Sequence, residues 1–109
     1  MSEDIDTVLE EVLVDAYGDD EQLWAFRQVF EDEATFPFPA RVVGSPVEVV
    51  AVDYHGDERR GLVAVCRRGG ELHTVSLLDV APGEMAARTA ALLSAYRRWS
   101  GAGALPDLR

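Results

Sequence analysis

Ile5, Val8, Leu9, Val12 and Leu13 recur at the i, i+3, i+4, i+7, i+8 spacing of one helical face, with acids filling the opposite side. That spacing predicts a first amphipathic helix. Gly18 is placed to supply the left-handed residue that ends it, and Asp19 to cap the next helix. The second helix carries Leu23, Trp24, Phe26, Val29 and Phe30, and Gln22 stands three residues after Asp19, as a capping box requires. It is expected to run to about Glu33, giving an acidic helical hairpin over residues 1–33.

The FPFPA segment that follows breaks helical order, because each proline forces extended backbone on the residue before it. Short β-branched or apolar runs at 41–43, 47–54, 61–67 and 72–78 are separated by the turn signals GSP, HGD and GG. They predict a four- or five-stranded antiparallel meander over residues 37–80. It either curls into a small SH3-like barrel or stays open and packs on helices. Pro82 marks the approach to a last helix over 83–99, whose face is set by Met85, Thr89, Leu92, Tyr96 and Trp99. The tail over residues 100–109, Ser100 followed by GAGALPDLR, is expected to fray. The fold class is α+β, a single domain over 1–109, with Trp24, Phe26, Phe30, Phe36 and Phe38 as its aromatic core.

Composition narrows what such a domain does. At 48% hydrophobic residues and with no apolar run near the roughly 20 residues that span a bilayer, the chain reads as soluble. The acidic start MSEDIDTVLEEV is unlike a signal peptide, and Cys66 is the sole cysteine, so a cytoplasmic location is expected. The net charge of −10 is concentrated: residues 1–33 hold twelve acids against Arg27 alone, while the remainder holds eight acids and nine arginines. Such a surface repels phosphate backbones and anionic lipid, so nucleic-acid and membrane partners are disfavoured and cations or basic proteins favoured.

The densest chemistry is the stretch DAYGDDEQ, Asp15 to Gln22, at the corner between the two helices. Ca²⁺ takes six to eight oxygen ligands, which a short path supplies only with several carboxylates, exposed carbonyls and a sharp turn. Asp15, the Tyr17 carbonyl, Asp19 and Glu21 fall at positions 1, 3, 5 and 7 of a loop register. An EF-hand then needs Gly at position 6 and Glu at position 12, where this chain has Asp20 and Phe26. An EF-hand is excluded. Capping explains Asp19 and Asp20 equally well without metal, and Glu21 equally suits a favourable first-turn acid. Glu31, Asp32 and Glu33 sit at a helix C-terminus, where the dipole disfavours anions, so they need a cation or an arginine from the sheet beside them.

The combination VDAYGDDEQ, then Trp24, then FEDEATFPFPARV resembles the small bacterial calcium-binding proteins of the cyanobacterial CcbP type. The similarity is clearest over Val14 to Val42 and weaker to about Val80. It implies Ca²⁺ binding without an EF-hand, a short helical N-terminal part and a β-rich body, with Asp15, Asp19, Glu21, Glu31 and Asp32 as the acidic residues of the motif. The expectation is a calcium buffer or sensor in which Asp15, Tyr17, Asp19 and Glu21 form one side of a site. Glu31 and Asp32 close it, and Asp20 contributes to a second, weaker site. The alternative is a metal-independent acidic module that docks a basic protein partner.

Other groupings carry less. His55 with Asp53, Asp57 and Glu58 in DYHGDE reads as an exposed hairpin tip, since these residues form turns, or as part of a metal site. Cys66 and His73 fall on opposite strands with no orienting third group, and there is no GxSxG, phosphate loop or HExxH, so no enzyme is expected. Arg59-Arg60 and Arg67-Arg68 are expected to face the acidic helices or guard a sheet edge, and Asp79 to cap the turn into the last helix or supply a ligand.

Overall fold

Asp4 caps the first helix, α1 (Ile5–Leu13), its carboxylate accepting from the Asp6 amide. The structure, a computed structural model, describes residues 4–101; most of the expected frayed tail, from residue 102, lies outside them. Helix α1 stops at Leu13, and Asp15 takes the first left-handed turn (φ 60). Gly18 is also left-handed (φ 83), yet it stands at the N-cap position of α2 (Asp19–Glu33) instead of ending α1. Asp19 is therefore the first helical residue and caps nothing. The expected capping box is absent too: Gln22 donates to the Ala16 carbonyl (3.2 Å) and accepts from the Trp99 indole (2.7 Å).

Strands β1 (Phe38–Val42), β2 (Ser45–Tyr54), β3 (Leu62–Arg68) and β4 (Glu71–Ser76) form an antiparallel meander. A 3-10 turn, Leu77–Asp79, then redirects the chain to β5 (Val80–Pro82), which pairs with β1. The order β4-β3-β2-β1-β5 leaves β4 and β5 as separate edges, so the sheet is open and the SH3-like barrel does not form. Three residues of β5 are too few to bridge back to β4. The FPFPA segment is partly strand: Phe36–Pro37 is cis, and Phe38, Pro39 and Ala40 belong to β1. Pro82 ends β5 and Asp79 belongs to the 3-10 turn, so neither starts α3 (Ala87–Ser100).

Strand alternation puts Phe38, Val49, Cys66 and His73 in one row across the sheet, the first three buried. Onto that face pack Val8 and Val12 of α1, Leu23, Phe26 and Phe30 of α2, and Leu92, Ala95 and Tyr96 of α3. Phe26 meets Tyr96 edge-on, with centroids 5.4 Å apart. Two of the expected core aromatics stand at its margin: Phe36 is partly buried and Trp24 is 47% exposed. Among the described residues no helix is long and apolar enough to cross a membrane. The packing of α2 on β2 sets its first turn over Tyr54, at the end of that strand.

Candidate metal centre

The corner is built by local hydrogen bonds. The Ala16 amide donates to the Leu13 carbonyl (3.0 Å), and the Gln22 amide to the Gly18 carbonyl (3.1 Å). No side chain caps α2; Glu21 instead reaches back across the corner, its Oε2 accepting from the Tyr17 amide at 2.8 Å. Gln22 fastens the turn to α3 through Trp99. Asp19, Asp20 and Glu21 occupy the first turn of α2, where the helix end carries about +0.5 charge and favours anions.

Asp20 differs from its neighbours in having a distant partner. The Tyr54 hydroxyl donates to Asp20 Oδ1 at 2.7 Å, linking the helix start to β2. Tyr54 is 2% exposed, and Trp24 packs edge-on against its ring (5.0 Å, 76°). Burial, then the hydrogen bond to Asp20 and the charges of Asp20, Glu58 and Asp57, push the phenol up to about 12, so it remains a donor.

Those charges locate a neighbour, the DYHGDE segment whose residues suit either a hairpin tip or part of a metal site. In the β2–β3 loop, Asp57 accepts from the Arg59 amide (3.0 Å), and His55 Nε2 lies 3.6 Å from Oδ2 of Asp53 at the end of β2. A cavity of about 310 Å³ is lined by Asp19 from the corner and by Glu58, Arg59 and Arg60 from this loop, with Tyr96 and Trp99 behind. The acid density of DYHGDE was visible in the sequence; its placement against Asp19 and Asp20 comes from the β2–β3 pairing.

The far acids do not join the corner. Glu31 pairs with Arg27 of its own helix (2.7 Å), which also reaches Asp53 (3.3 Å), and Asp32 accepts from Gln28 (3.1 Å). Glu33 pairs with Arg88 of α3. Along an unbroken helix, Glu31 is about 16 Å from Asp20, at 1.5 Å per residue. Two ligands of one Ca²⁺ lie within about 5 Å of each other, given bonds of about 2.3 to 2.6 Å. As the structure places them, Glu31 and Asp32 are not brought together with the corner acids. The arginine that answers the Glu31 charge comes from α2, and the acidic helices are met by Arg88 and Arg98 of α3, Arg98 pairing with Asp6. Arg67 instead pairs across the sheet with Glu48 (3.0 Å).

Asp53 is held below the usual carboxylate range, first by the Tyr54 amide and then by Arg27, against the opposing effect of burial. Cys66 and His73 are register partners, but burial pushes the Cys66 thiol up, which lowers its thiolate fraction. Among the described residues, no three His, Cys, Asp or Glu side chains converge as they lie on a metal position. By donor type the corner fits Ca²⁺: it offers hard carboxylate and carbonyl oxygens at a sharp turn, with no sulfur or imidazole among them. Asp20 Oδ2 and Glu21 Oε1 make no hydrogen bond among the described residues, so each carboxylate has an oxygen to offer.

The sequence model of a protein family described as calcium binding, the CcbP type, matches residues 6–100. Two solved structures share the fold. The crystal structure of Anabaena CcbP is 18% identical, with a TM-score of 0.74 over 92% of this chain and 93% of that one. A structure described as a calcium-binding protein in the calcium-binding form is also 18% identical, with a TM-score of 0.74 over 91% and 90%. No curated protein sequence matches significantly.

Proposed function

The chain belongs to the CcbP-type calcium-binding family, and from that premise we propose that it binds Ca²⁺ reversibly at the α1–α2 corner. The ligand pool is the carboxylates of Asp15, Asp19, Asp20 and Glu21 with the Tyr17 carbonyl. What supports this assignment is the state of the two acidic groups: Glu31, Asp32 and Glu33 are each matched by a side chain, whereas Asp15, Asp19, Asp20 and Glu21 have no cationic side chain bonded to them among the described residues. Arg59 and Arg60 line the cavity beside Asp19 and the helix end adds about +0.5 charge, against about −4 from the corner acids. Binding relieves the repulsion among those acids.

Buffering is the role assigned. Glu21 and Asp20 each keep one carboxylate oxygen in a hydrogen bond to the protein, so each offers the ion a single oxygen, which favours modest affinity. A cytoplasmic setting, consistent with the lone Cys66, belongs to the same proposal. A second reading, docking of a basic protein surface, draws on Val14, Tyr17 and Trp24, which are exposed beside the acids.

Thermal melts in chelator, Ca²⁺ or Mg²⁺ separate the two. Ca²⁺ at about 100 times its Kd stabilises by about 2.7 kcal/mol. In a domain of this size that raises Tm by about 10 °C or more. Mg²⁺ should do much less. Asp15→Asn with Glu21→Gln should remove the rise while Asp4→Asn keeps it, since Asn also caps. Equal small shifts with both ions would mean general screening and defeat the site.

A further inference from the structure

Resting on the corner as the calcium site, we propose that Tyr54 is its positioning residue, holding the Asp20 carboxylate in the orientation that meets the ion. An aspartate on the exposed first turn of a helix ordinarily samples several rotamers. Here Oδ1 is tied at 2.7 Å to a hydroxyl that arrives from β2, 34 residues away in sequence. The donor is itself immobile: Tyr54 is buried, is paired with Leu62 through the β2–β3 ladder, and has its ring against the edge of Trp24 at 5.0 Å. One carboxylate oxygen is thus committed to the protein, and the other, Oδ2, is left for a cation. This is how outer-shell partners set ligand direction at metal sites, and losing one ordinarily weakens metal binding about 10- to 100-fold.

A buried phenol needs an acceptor in any case, so the hydrogen bond alone would also suit plain structural satisfaction. The two roles differ in what Tyr54→Phe does to calcium. Calorimetric titration with Ca²⁺ of the wild type, Tyr54→Phe, Asp20→Asn and the double variant decides between them, with near-ultraviolet circular dichroism confirming that each is folded. Positioning predicts a Kd for Tyr54→Phe raised about tenfold or more, and no further rise when Tyr54→Phe is added to Asp20→Asn, because the effect runs through that carboxylate. Wild-type affinity in Tyr54→Phe overturns the inference, and so does an undiminished loss in the Asp20→Asn background; either leaves calcium binding intact. No calcium binding by the wild type defeats the proposed function itself, and the role of Tyr54 with it.

Discussion

Gly61 shows how closely single residues are fitted around the corner. Its φ is +67, and a Cβ there would lie 2.5 Å from the Tyr96 hydroxyl oxygen, which accepts from the Leu62 amide at 2.9 Å. Gly61→Ala should therefore destabilise by about 1–3 kcal/mol, combining left-handed strain with displacement of a buried hydroxyl. A drop in the urea midpoint at unchanged slope is the expected signature. Residue roles were the least legible part of the sequence. Capping preference pointed to Asp19 and Gln22, but Glu21 reaches back to the Tyr17 amide, and Gln22 is occupied by Trp99, a partner 77 residues away that no local rule foresees. Tyr54 was invisible as a site residue for the same reason, since its link to Asp20 is made by packing.

At the scale of elements, helical spacing was enough to find α1 and α3, and short β-branched runs between turn signals were enough to find the meander. What they missed were the joints. Pro82 reads as the approach to a helix beginning at 83, yet tertiary pairing with β1 makes it the end of a strand, and the same short β5 leaves the sheet open. The length of α2 bears directly on the site. Sequence proximity made Glu31 and Asp32 look like closing ligands, while an unbroken 15-residue helix carries them away from the corner. Glu31→Gln with Asp32→Asn should accordingly leave the Kd for Ca²⁺ within about twofold. It should cost at most about 1 kcal/mol of stability, the ordinary worth of an exposed ion pair. A tenfold weakening in the same titration would return those acids to the site.

For the whole molecule, the charge of −10 sets the terms. The pairs Arg27–Glu31, Arg67–Glu48, Arg88–Glu33 and Arg98–Asp6 are exposed or half-exposed and contribute little each, whereas the acidic surplus repels itself over the whole surface. Repulsion should win. In chelator, raising NaCl from about 0.01 M to about 0.15 M shortens the screening length from about 30 Å to about 8 Å and should raise Tm. A fall would show that the pairs dominate.

The open sheet gives this surplus one more consequence. Its β5 edge is three residues long and ends in proline, but β4 presents six residues, mostly exposed, with one side of the backbone unpaired by another strand among the described residues. An edge of that kind is a template on which a second copy can add a strand. Two copies that approach along it each carry a net charge of −10, so the acidity that strains a single fold should also disfavour edge-to-edge pairing of these molecules.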